Sequence, residues 1–272
     1  MVLSLLVVLT VASYAQPGSI RVRIERWIRV QQMHGEVSFL QQGRASRPAR
    51  LNDRLRRVGD GLATGEASAA TLEVDTQIGT IDVMADTAIR IQSLEIGPND
   101  GRITRLAVDR GQARLRLRPF NNPESQLDLE TPAGVSSVRG TEFGLVVFPD
   151  GRMGVATLEG RVVTSAQGQE VDVQGGFQNI TVPGEPPSQP IPFSNEPRLE
   201  YQVERVIRRG IRRILLTGQV DPTSSVLIKG QPQETDRDGR FTLLLPAPSR
   251  LRLAVTVVTA LGQTQTYELD LI

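Results

Sequence analysis

The chain of 272 residues has no cysteine, a single histidine and a single lysine. Without cysteine, neither a disulfide framework nor a thiolate metal site can form. One imidazole, His34, cannot supply a Ser-His-Asp triad or a multi-histidine metal site. Placed beside Gly35 just before a strand pattern, it reads as an edge or surface group. Aromatic residues make up only 4% of the chain. Nucleic-acid binding needs basic residues interleaved with stacking aromatics, and only Trp27 and Tyr201 lie near basic clusters, so no nucleic-acid partner is expected. A net charge of +1 provides no global steering of polyanions. No apolar run reaches the ~20 residues needed to span a bilayer. The best helical pattern, Glu204 to Ile214, is interrupted by Arg-Gly-Ile-Arg-Arg at its centre.

What is present is arginine, in three basic stretches: Arg21 to Arg57, Arg102 to Arg118, and Arg205 to Arg213. Residues 121–200 lean acidic. At the N-terminus, Val2 to Ala12 is a nearly unbroken apolar run followed by Ser13-Tyr14-Ala15. That is the layout of a secretory signal, although no Lys or Arg precedes the run. Cleavage is expected between Ala15 and Gln16, with export to the periplasm or the extracellular space.

The body alternates apolar and polar residues over short runs, the period of a half-buried strand. Ile20 to Ile24, Gly35 to Phe39, Leu72 to Asp75, Gly79 to Val83 and Ala88 to Ile91 all do so. In Ala113 to Arg118, the apolar Ala113, Leu115 and Leu117 alternate with Arg114, Arg116 and Arg118. Gln126 to Glu130 mirrors this with acids, and pairing of the two runs would bring arginines opposite carboxylates. Turn clusters such as Gly59-Asp60-Gly61, Pro149-Asp150-Gly151 and Asp236-Arg237-Asp238-Gly239 separate the runs. Five prolines between Pro183 and Pro192 mark a semi-rigid linker. The expected organisation is a signal peptide at 1–15, a β domain at 20–182, a linker at 183–197 and a small β domain at 198–272.

The densest pattern is Thr131-Pro132, five residues, then Val138-Arg139-Gly140-Thr141-Glu142-Phe143, followed by Leu158-Glu159-Gly160-Arg161-Val162. Physically, Gly140 permits a bulge or a positive φ, and Arg139 with Glu142 is expected to lock the bend. Gly160 reads as a bulge glycine ending a strand. The family-motif positions Thr131, Pro132, Val138, Arg139, Gly140, Thr141, Glu142, Phe143, Glu159 and Gly160 are expected to be structural.

This pattern resembles the FecR domain, an extracytoplasmic β-rich module of bacterial signalling proteins. Val58 to Gly65 and Ser68 to Leu72 resemble the family's preceding segment, and Val171 to Phe177 its closing hairpin, so the resemblance spans roughly 35–182. Gly218 to Pro222 and Asp238-Gly239-Arg240-Phe241 resemble small bacterial Ig-like domains. The implied fold is all-β: a rolled or stacked antiparallel FecR-like domain plus a small C-terminal Ig-like β-sandwich. The family's membrane span and cytoplasmic helix bundle have no counterpart in the pattern. The resemblance therefore implies a periplasmic interaction module: no enzyme, no cofactor, no metal, and a partner among envelope proteins. Arg114, Arg116 and Arg118 are the expected docking surface. The alternative is a wall-associated module binding acidic glycan or peptidoglycan.

Overall fold

The computed structural model describes residues 26–75, 78–97, 99–248 and 251–271. The signal segment, its Ala15–Gln16 junction and the alternating run Ile20 to Ile24 lie outside the described residues.

The alternating runs become strands, and no helix occurs among the described residues. One long strand, Arg102–Leu117, organises everything up to Pro192. Its second half pairs with Gly79–Val83 on one side and Glu142–Val147 on the other. From there a first sheet extends through Ala69–Val74 and Ile28–His34 in one direction. In the other it extends through Met153–Glu159 and Phe177–Thr181 to Ile191–Pro192. The first half of the long strand belongs to a second sheet, between Ala88–Ile96 and Gln126–Glu130. That sheet continues through Gly61–Thr64 and Val37–Gln41 on one flank, and through Val135–Val138 and Arg161–Ala166 on the other. The switch between sheets falls at Gly111, where φ is +92° and a Cβ would sit 2.3 Å from Thr87 Oγ1. Only glycine fits that crossing.

The sheets are antiparallel, with one exception: Gln126–Glu130 runs parallel to the long strand, with Leu129 opposite Leu106. This corrects the expected arginine–acid ladder. Gln126–Glu130 meets the first half of the long strand, whereas Ala113 to Leu117 lies between Gly79–Val83 and Glu142–Val147. Alternation identifies which face a side chain takes, but the choice of partner strand depends on distant chain. The apolar faces of the two sheets close on one core. Ile28, Leu72, Ile81, Leu115, Phe143 and Val155 from the first sheet meet Leu62, Ile89, Leu106, Leu127 and Val162 from the second. Each fully buried large side chain contributes about 1.5–3 kcal/mol.

Beyond Pro192, sheet pairing starts afresh. Glu200–Arg208, Ile211–Gln219 and Arg240–Pro246 form a three-stranded sheet. Gln231–Gln233, Ser225–Ile228, Arg252–Val258 and Thr264–Asp270 form a four-stranded one. Ile214, Leu216 and Phe241 from the first of these pack with Val226, Val255, Val257 and Leu269 from the second.

The proline-rich segment does not span open space. Ile191–Pro192 pairs with Phe177–Gln178, and Ser188 N–H donates to the Ile180 carbonyl while Ile180 N–H donates to Ser188 Oγ. The C-terminal part is likewise seated on the first sheet. Gln112 Nε2 donates to the carbonyls of Thr259 (2.7 Å) and Ala260 (3.0 Å), and Thr223 Oγ1 donates to Gln178 Oε1 (2.7 Å). Ala260 packs with Val146, Phe148, Ala156 and Ile180 in a separate small core. Gln178 Nε2 also donates to Asp221 Oδ2 at 3.0 Å. Burial pushes the Asp221 carboxyl above its ordinary value, partly opposed by hydrogen bonds from Gln178 and Thr223.

Candidate functional site

Part of the motif, Gly140 to Glu142 with Glu159 and Gly160, converges at one end of the first sheet's strands. In-register pairing lines up a single row across the face turned away from the core: Arg54, Arg29, Glu73, Thr80, Arg116, Glu142 and Glu159. Directly opposed positions in antiparallel strands carry their side chains on the same face. The row is largely self-neutralised. Arg29 binds Glu73 at 2.6 Å, Arg116 binds Asp82 at 2.7 Å, and Arg114 holds Glu142. Arg54 lies over the Trp27 ring, 4.9 Å from its centroid.

Above this row lies an open groove of about 580 Å³. Glu73, Gly79, Thr80, Arg116, Leu117, Arg118, Pro119, Gly140, Thr141, Glu142, Glu159 and Gly160 line it. Its shape depends on glycine. At Gly140 φ is +113°, and a Cβ would stand 2.2 Å from Pro119 Cα. Gly160, with φ +82°, turns the chain directly from Met153–Glu159 in one sheet into Arg161–Ala166 in the other. Thr141, almost fully buried, donates its hydroxyl to the Arg161 carbonyl at 3.0 Å and ties the two glycine turns together.

The structure distributes the sequence candidates unevenly. Gly140, Thr141, Glu142, Glu159 and Gly160 share the groove with Arg116 and Arg118. Phe143 and Val138 are core residues. Thr131 and Pro132 sit elsewhere: the Thr131 hydroxyl caps the turn between Gln126–Glu130 and Val135–Val138, donating to the Gly134 carbonyl at 2.9 Å. Arg139 is exposed and does not lock the bend with Glu142, whose partner is Arg114. The bend is instead fixed by backbone: Leu117 N–H donates to the Thr141 carbonyl (3.1 Å) and Phe120 N–H to the Arg139 carbonyl (3.2 Å). Of the three expected docking arginines, Arg114 and Arg116 are engaged in ion pairs. Arg118 is exposed and forms no side-chain bond among the described residues. The same holds for Glu159. Glu73 and Pro119 were not singled out in the sequence, although Glu73 occupies the polar phase of a recognised alternating run. Among the described residues no cluster of His, Asp or Glu could hold a metal ion, and no helix is long and apolar enough to cross a membrane.

An all-β body of two sheets sharing one strand, with a glycine-shaped charged groove, is thus the class of module at hand. Residues 60–163 match the family model described as FecR protein. The match begins at Asp60 and contains the whole Thr131 to Phe143 motif and Glu159-Gly160. The strands that complete both sheets on either side lie beyond it. Two crystal structures of a candidate anti-sigma factor from Parabacteroides distasonis ATCC 8503 are similar in part. One is 13% identical with a TM-score of 0.39, covering 47% of this chain and 56% of that one. The other is 14% identical with a TM-score of 0.38, covering 47% and 57%. The alignments thus span little more than half of those chains. No curated protein matches this one.

Proposed function

We propose that this protein is a non-enzymatic sensing or interaction module of the cell envelope, which docks a protein partner in the groove over the charged row. One observation carries the reading. The groove's inner charges are neutralised by partners on the same face, while Arg118 and Glu159, both exposed at its rim, are left without any. Opposite charges held apart on a rigid frame suit a partner with complementary charges, because pairs at a rim set orientation and register. The FecR match over 60–163 supports a regulatory module. Export rests on the signal-like segment at 1–15.

The test is affinity capture from envelope extract with the unaltered chain and with Arg118→Glu and Glu159→Arg. A specific protein that is captured by the parent and lost with either charge reversal supports the groove. Identical captured sets for all three chains reject it. Pelleting with purified sacculi, insensitive to both substitutions, selects the wall-binding alternative.

A further inference from the structure

The hairpin of Glu200–Arg208 and Ile211–Gln219 is unlike the rest of the molecule. Its register runs to Arg208 opposite Ile211, leaving Arg209-Gly210 as a two-residue turn with φ of 51° and 74°. That is the mirror-image turn that matches strand twist in hairpins. The third strand of this sheet reaches only as far as Arg213, opposite Pro246. Residues 206–212 therefore project beyond it as a two-stranded tip.

The composition of the tip and of the residues at its base is extreme. Between positions 205 and 213 stand five arginines (Arg205, Arg208, Arg209, Arg212 and Arg213) and no acid. None of their guanidinium groups has an ion pair or hydrogen bond among the described residues, in contrast to Arg26, Arg29, Arg114 and Arg116 in the first sheet. Two aliphatic side chains share this tip. Ile207 is 72% exposed, the highest value among the exposed large hydrophobics, and Ile211 is 54% exposed. Ile207 is paired with Arg212 and Ile211 with Arg208, so each face carries one isoleucine and one arginine close to the turn.

Five bare guanidinium groups call for a dense array of anionic oxygens. The isoleucines decide which array. A soluble polyanion leaves both in water, and a glycan calls for aromatic platforms that the tip lacks. A phospholipid surface satisfies both demands. Phosphates take the guanidinium groups, the flexible arginine stems reach back to them, and the aliphatic groups enter the headgroup boundary. At about 3.3 Å per residue, both isoleucines lie within roughly 10 Å of the end of the turn, the depth of the interfacial layer. We propose that the Val206–Arg213 hairpin tip docks the protein, peripherally and tip first, on an anionic phospholipid surface. This contact is separate from the groove and does not depend on it.

Flotation of the whole protein with vesicles tests the proposal. Pure phosphatidylcholine vesicles are compared with vesicles containing phosphatidylglycerol, across a salt series. The protein is expected to float with the anionic vesicles at least tenfold more than with neutral ones, and to be progressively released by salt. R208Q/R209Q/R212Q is expected to lose at least tenfold of that binding, and I207S/I211S several-fold at constant salt. Melting temperatures of both variants serve as the folding control, and the salt series on the unaltered chain is a readout that needs no variant. Equal flotation with neutral and anionic vesicles overturns the proposal. So does undiminished binding by folded I207S/I211S, or capture by inorganic polyphosphate without capture by vesicles.

Discussion

Arginine serves opposite ends in the two parts of this molecule. In the first sheet most arginines are tied down, Arg118 at the groove being an exception. Arg26 is almost fully buried, and its guanidinium donates to Asp75 Oδ2 (2.8 and 3.1 Å), to the Glu95 and Ile103 carbonyls (2.7 and 2.6 Å) and to Thr104 Oγ1 (2.6 Å). Arg29, Arg114 and Arg116 each hold a carboxylate on the face beneath the groove. In the C-terminal hairpin the same residue type stands unpaired. The contrast teaches that composition alone does not distinguish a structural arginine from an available one. What distinguishes them is whether the neighbouring strands carry carboxylates on the same face, directly opposite as for Arg29 and Glu73 or one step diagonal as for Arg114 and Glu142.

The contrast can be broken most severely at Arg26. Arg26→Ala removes the nearer of two cations from buried Asp75, leaving Arg102 at 3.7 Å, and orphans the carbonyls that Arg26 caps; it is expected to cost about 3–5 kcal/mol in denaturant unfolding. By comparison, Arg212→Gln at the hairpin tip is expected to stay within about 0.5 kcal/mol. A result in which the two substitutions cost the same would erase the distinction. Next in size is the glycine pair. Gly140→Ala meets Pro119 Cα and a left-handed backbone at once, and is expected to cost about 3 kcal/mol, since strain and overlap add. At Gly210 the φ is also positive, but nothing lies within 4 Å of a Cβ. Gly210→Ala should therefore cost only about 1 kcal/mol, read by the same unfolding curves.

A smaller and pH-dependent effect is expected where the two parts meet. The Asp221 carboxyl is raised mainly by burial, with Gln178 and Thr223 hydrogen bonds pulling the other way. The folded state therefore holds this proton more tightly than the unfolded chain, so the associated stability is present below about pH 4, the ordinary carboxylate range, and is lost as pH rises through the raised value. Asp221→Asn removes the titration. The stability of the parent relative to this variant should fall as pH is raised from acid toward neutral; a difference that is flat with pH, or that rises, contradicts the assignment. The smallest effect is expected at Asp53, whose carboxyl is held low by a hydrogen bond from Arg47 and further by the Arg50 N–H. The sign is reversed: its contribution is present above the ordinary carboxylate range and is lost as pH falls through the lowered value. Arg47 is exposed and Asp53 half-buried near the surface, so solvent screens the pair and Asp53→Asn should flatten only a slight acid-side slope.

Much of the fold was legible because alternation is local. Leu115 inward and Arg116 outward follow from the two-residue period alone, and the turn at Asp236 to Gly239 from its Asx chemistry, with Asp236 Oδ1 accepting from Asp238 N–H (2.9 Å) and Arg240 N–H (2.8 Å). Partner choice was not legible. The parallel pairing of Gln126–Glu130 and the capture of Glu142 by Arg114 rather than Arg139 both depend on which strand lies alongside. Nothing within a run of six residues specifies that. The motif's glycines pointed to bends, but the groove arises only when Gly140, Gly160 and Pro119 meet across two sheets. The basic run from Arg205 to Arg213 was visible as charge. That it forms a bare tip followed only from the shortness of the third strand beside it.

The strand Arg102–Leu117 passes from one sheet to the other without a break in its backbone. In mechanical terms it is a shared beam. A pull delivered to the groove enters the second half of this strand and reaches the opposite sheet through covalent bonds, with no soft joint between. The two layers must then yield together or not at all, so tension at the groove loads the whole sandwich as one piece.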